Sequence, residues 1–266
     1  MDGVLINFLK DLILEAGRIC LSEQNRLTPS DIAFKNSKDL VTGIDKKVEN
    51  FLIQAIQNRY SDHGIFGEET GRIERQSPYV WIIDPIDGTT SFIHQQPYYS
   101  ISIALYNNQK PELGAVYAPA FKELFFAEAD KGAFLNDQPI RVSKTDRPID
   151  SVMATGFACL RSGVEPNNLA HFNRIVPEIR DIRRYGSAAL DLCYVACGRC
   201  DGFWEMNLNL YDIAAGSLIV TEAGGKVTDF NGGSIYPEQG ILAANPNLAP
   251  LLQSCLSPDR FNGETP

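Results

Sequence analysis

The sequence predicts a layered α/β fold, and two features of its pattern carry that prediction. In the second half of the chain, short apolar runs with strand character alternate with segments of helical spacing, which is typical of α/β layers. In the first half, two helical segments precede a series of consecutive strand-like runs. The length of 266 residues and an ordinary globular composition, with 44% hydrophobic and 21% charged residues, allow a large core.

The first half begins with helical periodicity and then changes to strands. Apolar residues recur at three- and four-residue spacing between Val4 and Ser22 and between Ile44 and Tyr60, which predicts two amphipathic helices. The apolar run Tyr79–Ile83 precedes Asp84-Pro85 and has the character of a buried strand. Further strands are expected at 98–106, 112–117, 124–127 and 132–135.

The second half alternates between the two kinds of element. We expect strands at 152–155, 181–185, 201–205, 226–230 and 241–244, and helices at 169–179, 187–197, 212–223 and 248–256. The polar stretch 143–150 divides the chain into two halves that should share one interface, residues 1–146 and residues 147–266.

Charge and cysteine content limit the partners and compartments to be considered. The net charge of −9 predicts a surface that repels nucleic acid and anionic membranes. We find neither a signal peptide nor an apolar run near the ~20 residues that span a bilayer. We therefore expect a cytoplasmic protein whose six cysteines are reduced. Cys193, Cys197 and Cys200 recur at helical spacing, which favours one buried packing face over a structural metal site.

Three short segments concentrate acidic residues: Asp39–Asp45, Gly67–Thr70 and Asp84–Thr90. Taken alone, the aspartates of the first segment are compatible with turns and helix caps. The two glutamates of the second segment are compatible with ordinary surface charge. The third segment is more informative, because a charge directly after a buried apolar strand needs a partner.

The third segment combines the features of a metal site and an anion site. Asp84 and Asp87 lie three residues apart on a tight turn, where two carboxylates repel each other unless a divalent cation lies between them. Their hard oxygen atoms suit Mg²⁺ rather than Zn²⁺. Gly88-Thr89-Thr90 follows with a permissive backbone, and a helical turn beginning here would direct N–H groups at an anion. Metal and anion sites side by side favour phosphoryl transfer.

Residues 81–92, Trp-Ile-Ile-Asp-Pro-Ile-Asp-Gly-Thr-Thr-Ser-Phe, resemble the first signature of the inositol monophosphatase family. Tyr211–Gly216 followed by Thr221–Gly225 is similar to the second signature. The first two acidic segments match the remaining family motifs in order, and the resemblance extends from about residue 5 to 255. It implies the layered α-β-α-β-α sandwich of the inositol monophosphatase and fructose-1,6-bisphosphatase type, usually as a homodimer.

The resemblance also implies the metal ligands, for two or three Mg²⁺ ions per active site. In the family, one ion is bound by residues matching Glu68, Asp84 and the carbonyl of Ile86. A second ion shares Asp84 and is completed by residues matching Asp87 and Asp212. A third, weaker ion is often placed near Glu68. The resemblance also implies a catalytic role for this glutamate.

Further matches imply how water and phosphate are held. Asp45 and Thr89 match the catalytic residues that orient and deprotonate the attacking water. Gly88, Thr89 and Thr90 match the residues that contact the phosphate.

The substrate pocket is expected where a predicted helix begins at Gly186-Ser187-Ala188, with Ser187 as its N-cap. These three residues match the family's pocket-lining positions. Glu205 follows a predicted strand and resembles the family's polyol-contacting glutamate, although taken alone it is also compatible with an exposed charge. Tyr211 departs from the family pattern, since a tryptophan is common there.

The resemblance thus implies a Mg²⁺-dependent phosphomonoesterase for a small phosphorylated polyol or sugar. The leading substrate is myo-inositol 1-phosphate, attacked by metal-activated water without a covalent intermediate, and lithium is expected to inhibit. Sister activities on fructose 1,6-bisphosphate, histidinol phosphate or a 3′-phosphonucleotide stay open. A third hypothesis is a regulatory protein that keeps the fold and acts through a partner.

Overall fold

The computed structural model describes residues 3–27, 32–36 and 39–256, with the strand residues 32–36 and 39–42 described by their backbone alone. The α-helices of these ranges are α1 (Gly3–Gln24), α2 (Gly43–Arg59), α3 (Thr89–Ile93), α4 (Ala158–Ser162), α5 (Leu169–Ile175), α6 (Ala188–Ala196), α7 (Leu210–Glu222) and α8 (Ala249–Leu256). They differ widely in length, from the 22 residues of α1 to the five of α3 and α4. None of the helices in these ranges combines the length and apolar character that a bilayer crossing requires.

The first half of the chain forms an eight-stranded sheet and a small hairpin. The hairpin pairs β1 (Ile32–Asn36) with β2 (Asp39–Thr42). The sheet contains β3 (Gly64–Gly67), β4 (Gly71–Ile73), β5 (Tyr79–Asp87), β6 (Ser100–Asn107), β7 (Lys110–Ala118), β8 (Glu123–Glu128), β9 (Gly132–Leu135) and β10 (Gln138–Pro139). Its order is β10-β9-β8-β7-β6-β5-β3-β4. All neighbours are antiparallel except β3 and β5, which run parallel.

The second half forms a five-stranded mixed sheet in the order β12-β11-β13-β15-β14. Its strands are β11 (Val152–Thr155), β12 (Asp181–Arg183), β13 (Gly202–Glu205), β14 (Lys226–Thr228) and β15 (Ile241–Ala244). The three strands β12, β11 and β13 are parallel, and β15 runs antiparallel to β13. The carboxyl ends of three neighbouring strands therefore lie at one edge of this sheet.

The two sheets and the helices stack into five layers. α1 and α2 cover one face of the first sheet, and α6 and α7 cover the other. The opposite side of α6 and α7 packs on the second sheet, whose outer face is covered by α8 with α5 beside it. This is the α-β-α-β-α arrangement that the family resemblance implies. In this arrangement the central helices lie between two sheets and must be apolar on every side. All nine residues of α6 are accordingly buried.

The core follows from the alternation of side chains along β5. Trp81 and Ile83 point into the cluster shared with α1 and α2, while Ile82 points into the central cluster with α6 and α7. A third cluster lies between the second sheet and α8. An uninterrupted apolar strand is what a sheet covered on both faces requires.

Most predicted elements are confirmed to within about three residues of their ends. β3 and β4 were not predicted. The predicted helix 169–179 is shorter: α5 ends at Ile175, and Val176–Glu178 forms a 3₁₀ turn. Pro177 accounts for this, since it offers no amide proton to a continuing α-helix.

The prediction that three cysteines share one helix face is wrong for two of them. α6 ends at Ala196, with Cys197 as its C-cap, and Gly198 adopts a left-handed φ of 74° that stops the helix. Cys200 lies beyond this turn, yet it is buried in the same cluster as Cys193. All six cysteines are free thiols.

Candidate active site

Two parallel strands of the first sheet bring the first acidic residues to one edge. Glu68 directly follows β3, and its N–H donates to the carbonyl of Ile83 on β5 at 3.2 Å. Asp84 and Asp87 lie in the last part of β5, where pairing with β6 shifts register between them. Pro85 cannot donate to the ladder, which favours such a bulge. Without the extra residue, two positions three apart would face opposite sides of the sheet.

The first turn of α7 lies against this edge of the sheet, and together they form a compact cluster of carboxylates. Oxygen atoms of Asp84, Asp87 and Asp212 all lie within 4.8 Å of one another. Asp212 is in the first turn of α7, and the N–H of the N-cap residue Asn209 donates to its Oδ2 at 2.5 Å. One oxygen of Asp212 is thus fixed by the backbone.

Burial and mutual repulsion disfavour the charged forms of these acids. Asp84 is 1% exposed, and burial, followed by the charges of Glu68 and Asp87, holds its pKa well above the usual value. The pKa of Asp212 is raised by burial and then by Asp87. The pKa of Asp87 rises to about 6, chiefly through burial. Such a cluster is stable as carboxylates when cations occupy the space between them.

Asp87 is anchored by the N-terminus of α6. Its Oδ2 accepts hydrogen bonds from the Ser187 hydroxyl and the Ala189 N–H, both at 2.7 Å. Ser187 is the N-cap, as predicted, and accepts the Leu190 N–H at 3.2 Å. Its hydroxyl also lies 3.0 Å from that of Ser100. These bonds tie the first sheet to the central helices at the level of the carboxylate cluster.

A buried glutamate that was not predicted fixes the turn carrying Glu68. Glu49 on α2 is 1% exposed, and its carboxylate accepts the N–H groups of Glu69 and Thr70 at 2.9 and 2.7 Å. A side chain at Gly67 would start 2.7 Å from this carboxylate, so only glycine fits there. The signal in the sequence was an acidic residue among the inward-facing apolar positions of α2.

The expected anion turn begins directly after Asp87. Gly88 has a left-handed φ of 96°, and a Cβ there would lie 2.9 Å from the Tyr98 carbonyl. Thr89 starts the short helix α3, and its hydroxyl lies 3.3 Å from Oδ1 of Asp45 and 3.2 Å from the carbonyl of Ile86. Asp45, in the first turn of α2, is 1% exposed and lies behind Thr89.

A cavity of about 60 Å³ opens between the carboxylates and this turn. Its lining combines acidic side chains with backbone groups and one arginine. These residues are Glu68, Asp84, Ile86, Asp87, Gly88, Thr89, Thr90, Arg161, Gly186 and Asp212. The set contains every residue that the sequence predicted as a metal ligand or phosphate contact.

A second, larger cavity of about 180 Å³ adjoins the first. It is bounded by the edge of the second sheet at which the parallel strands β12, β11 and β13 end. The lining residues shared with the smaller cavity are Glu68, Asp87, Arg161, Gly186 and Asp212. Those found only in the larger cavity are Gly156, Ala158, Ser162, Arg184, Ala188, Asp191, Glu205, Asn207, Leu208, Asn209 and Tyr211.

Glu205 ends β13 and lies at the wall of this larger cavity. It is 5% exposed, and its Oε1 accepts the Ala158 N–H at 3.0 Å. Burial raises its pKa to about 7, against the opposing effect of that hydrogen bond. A Cβ at Gly156 would lie 2.1 Å from Oε2 of this carboxylate, so the close approach requires glycine.

A buried polar network around Asn168 stabilises the strand ends that bound the larger cavity. The amide of Asn168 donates to the carbonyl of Gly156 at 2.6 Å and to the Thr155 hydroxyl at 2.9 Å. Its side-chain oxygen accepts the indole N–H of Trp204 at 2.8 Å. Because Gly156 follows β11 and Trp204 precedes Glu205, this network holds the two strand ends in a fixed relation.

The structure brings together the predicted site residues with two differences in placement. Gly186, Ala188 and Glu205 line the larger cavity, whereas Ser187 is fully buried and its hydroxyl contacts Asp87 instead. Asp45 lines neither cavity and reaches the site through Thr89. The side chain of Asp39 lies outside the described residues.

Several lining residues of the larger cavity were not predicted from the sequence. Arg161 and Arg184 lie far from any acidic motif, and Asp191 faces inward from the first turn of α6. Asp191 is 1% exposed, and its Oδ1 has no hydrogen-bond partner among the residues that the structure describes. Their positions depend on the strand order of the second sheet, which no local pattern reveals.

Comparisons with known proteins agree with this geometry. The model of the inositol monophosphatase family matches residues 3–258. The chain belongs to the inositol monophosphatase family. It is 37% identical over 243 residues to an inositol-1-monophosphatase of Mesorhizobium japonicum, covering 91% of each chain. The solved structure of an inositol monophosphatase from Anabaena (Nostoc) superposes with a TM-score of 0.85 at 36% identity, covering 95% of each chain.

Other relatives in the family carry a different name. The chain is 42% identical over 253 residues to the Nus factor SuhB of Pasteurella multocida, covering 93% of this chain and 94% of that protein. Family membership supports a phosphatase activity. It leaves the substrate open, because relatives with both names match over nearly their whole length.

Proposed function

We propose that the chain is a Mg²⁺-dependent phosphomonoesterase for small polyol phosphates, with myo-inositol 1-phosphate as the leading substrate. One observation supports this most strongly. Three carboxylates converge within 4.8 Å beside a glycine-led turn, and the space between them opens into a second cavity bounded by Glu205. A metal site, a phosphate site and a polyol site are thus contiguous.

The residues present fit magnesium. The donor set consists of oxygen atoms alone, which Mg²⁺ prefers. The pKa values of Asp84 and Asp212 are raised by burial and then by the charges of neighbouring acids, and bound cations would offset both effects. Glu68, Asp84 and the carbonyl of Ile86 would hold one ion. Asp87 and Asp212 would hold a second with Asp84, and a third would lie near Glu68. Bound magnesium supplies charge that neutralises phosphate oxygens and lowers the pKa of coordinated water.

Thr89 and Asp45 are arranged to accept a proton from the attacking water. The Thr89 hydroxyl donates towards Asp45 at 3.3 Å, which leaves its own lone pairs for a hydrogen bond from water. The carboxylate of Asp45 in the first turn of α2 is buried and lies next to the Thr89 hydroxyl. A proton taken up by Thr89 is therefore passed inward to Asp45, away from the phosphate.

The second cavity is suited to the hydroxylated part of the substrate. Glu205 offers carboxylate oxygens to sugar hydroxyls, while Gly186 and Ala188 leave room for the ring to approach the backbone of the first turn of α6. Ser187 contributes indirectly, because its hydroxyl orients Asp87. Both hydrogen bonds go to Oδ2 of Asp87, so that its Oδ1 can serve the metal.

The decisive experiment is phosphate release from a panel of substrates with Mg²⁺, with chelator and with lithium. The panel contains inositol 1-phosphate, fructose 1,6-bisphosphate, histidinol phosphate and a 3′-phosphonucleotide. We expect magnesium-dependent turnover, the highest kcat/KM for inositol 1-phosphate, and inhibition by lithium. A higher kcat/KM for another member would select a sister activity, and no release from any substrate would contradict the proposal.

A regulatory role is the second candidate, and the name Nus factor on a 42%-identical relative favours it. The expectation that this chain does not bind nucleic acid derives from its net charge of −9 alone. Fluorescence anisotropy with labelled RNA tests that expectation directly. Homodimerisation and a cytoplasmic location also remain predictions, and sedimentation velocity of the purified chain tests the first.

A further inference from the structure

Glu49 is a buried carboxylate that none of the proposed catalytic steps uses directly. It lies on α2 and is 1% exposed. Its Oε2 accepts the N–H of Glu69 at 2.9 Å, and its Oε1 accepts the N–H of Thr70 at 2.7 Å. Within the described part of the chain it forms no ion pair. The burial of this charge is therefore compensated by the turn that follows β3.

The position requires a hydrogen-bond acceptor on both sides. A carboxylate presents two acceptor oxygens and no donor, whereas the amide of glutamine presents one acceptor and one NH₂ group. Glutamine at position 49 would therefore set a donor against one of the two backbone N–H groups and leave that group without an acceptor. The hydrogen-bond pattern of the turn thus selects glutamate.

The carboxylate also fills the space beside the end of β3. A Cβ at Gly67 would lie 2.7 Å from Cδ of Glu49 and 2.8 Å from each of its oxygens. The φ of Gly67 lies outside the left-handed region, so this contact, rather than backbone strain, excludes a side chain. The N–H groups of residues 68–70 are all fixed, because that of Glu68 donates to the Ile83 carbonyl at 3.2 Å and the next two donate to Glu49.

α2 connects this turn with another part of the site. Asp45 lies four residues before Glu49 and both are 1% exposed, so the two acids project from the same face of one helix. Asp45 lies 3.3 Å from the Thr89 hydroxyl, and Glu49 holds the turn that carries Glu68. One helix thus fixes the proposed proton acceptor relative to a proposed metal ligand.

We propose that Glu49 is a positioning residue for magnesium, which holds residues 68–70 so that Glu68 lines the cavity of the carboxylate cluster. This inference rests on the proposed metal role of Glu68 and adds the residue on which the affinity for that ion depends. Without the two hydrogen bonds to Glu49, the turn has to be ordered as the ion binds, which weakens binding. Asp87 and Asp212 are held by separate hydrogen bonds and keep their positions.

The test compares Glu49→Gln with Gly67→Ala, which disturb the same contact from its two sides. Glu222→Gln is the matched control, because Oε1 and Oε2 of Glu222 accept two N–H groups of the turn between β8 and β9, at 2.9 and 2.8 Å. Glu222 lines neither cavity of the site. Calorimetric titration with magnesium chloride measures the affinity, phosphate release is followed against Mg²⁺ concentration, and amide hydrogen exchange is measured in chelator.

We expect Glu49→Gln and Gly67→Ala to raise the Kd for Mg²⁺ by about tenfold to a hundredfold, the range typical of residues that orient metal ligands. At saturating Mg²⁺, kcat should return to within about threefold of wild type, because binding of the ion rather than the chemical step is impaired. The double variant should bind no more weakly than the weaker single variant, since both changes act on one contact.

The metal-free protein and the control variant provide independent measurements. In chelator, the amides of Glu69 and Thr70 should exchange faster in Glu49→Gln than in wild type, because they lose their acceptors. Glu222→Gln should keep the wild-type affinity for Mg²⁺ and the wild-type exchange at these two amides. If Glu49→Gln does not fold, the same criteria apply to Gly67→Ala, which keeps the carboxylate.

Three results would overturn the inference while leaving the phosphatase proposal intact. They are a Kd for Mg²⁺ that is unchanged in Glu49→Gln, a Kd raised equally in Glu222→Gln, and a loss of kcat that saturating Mg²⁺ does not restore. Absence of Mg²⁺ binding by the wild type would overturn the proposed function together with this inference. The two failures are therefore distinguished by the wild-type titration alone.

Discussion

Replacing Asp87 by asparagine should have opposite effects on stability and on turnover. The pKa of Asp87 is raised from 3.8 to about 6. The folded protein therefore binds this proton more tightly than the unfolded chain. Stability falls as the pH rises between these values and stays low above them. At ~1.36 kcal/mol per pKa unit, the ionised carboxylate costs roughly 3 kcal/mol at neutral pH without metal.

Repulsion between the carboxylates acts in the same direction as burial. Two unit charges no more than 4.8 Å apart repel by at least about 3 kcal/mol at an effective dielectric constant of ~20. Asparagine has nearly the same shape, and its amide oxygen still accepts the bonds from Ser187 and Ala189. The variant should therefore be more stable than wild type in chelator, by an amount of this order, with the cap of α6 intact.

Turnover should decrease, because the variant lacks one of the negative charges proposed to bind the metal. We expect a fall of about 10³-fold or more and a smaller rise in melting temperature on adding Mg²⁺. Urea unfolding in chelator and in magnesium, together with phosphate release, measures both effects. Asp11→Asn on the exposed face of α1 is the control with the same charge change. Near-normal turnover, or a variant less stable than wild type in chelator, would refute the reasoning.

Three further changes test other parts of the site. Thr89→Val keeps the side-chain shape but removes the hydroxyl that faces Asp45. We expect kcat to fall about 10²-fold or more, with an unchanged unfolding midpoint. Thr89→Ser, which keeps a hydroxyl, should recover most of the lost kcat. Glu205→Gln should reduce discrimination among polyol phosphates. Because the pKa of Glu205 is about 7, protonation of its carboxylate below that pH should raise KM in the wild type. If KM depends on pH in the same way in the glutamine variant, hydroxyl binding by this carboxylate is contradicted. Gly88→Ala should destabilise the fold by about 1–3 kcal/mol in chemical unfolding, because a Cβ meets the Tyr98 carbonyl at 2.9 Å.

The parts of the site that the sequence predicts are those set by local pattern. A buried apolar run ending in Asp84 requires a strand with an acid at its end, and Gly88 after Asp87 requires a left-handed turn. Ser187 before an apolar helix is a recognisable N-cap. In each case, the residues that determine the conformation are neighbours along the chain.

The unpredicted parts depend on pairing between distant segments. β3 has only four residues, two of them glycine, and is stabilised as a strand by its parallel pairing with β5. Glu49 is unusual in the sequence only as an acid among inward-facing apolar positions of α2, and its hydrogen-bond partners belong to the distant turn after β3. Arg161 and Arg184 become neighbours only because β12 and β11 pair. Sequence periodicity contains no information on strand order.

The division of the site between the two sheets bears on how this fold can change its specificity. The carboxylates proposed to hold metal belong to the first sheet and to α7, whereas Gly156, Arg161 and Arg184 belong to the segments that follow strands of the second sheet. Loop exchange at residues 156–162 and 184–186 would alter which molecules are accepted while the hydrolytic apparatus stays in place. Such a separation allows one ancestral chemistry to be retained while new substrates are acquired.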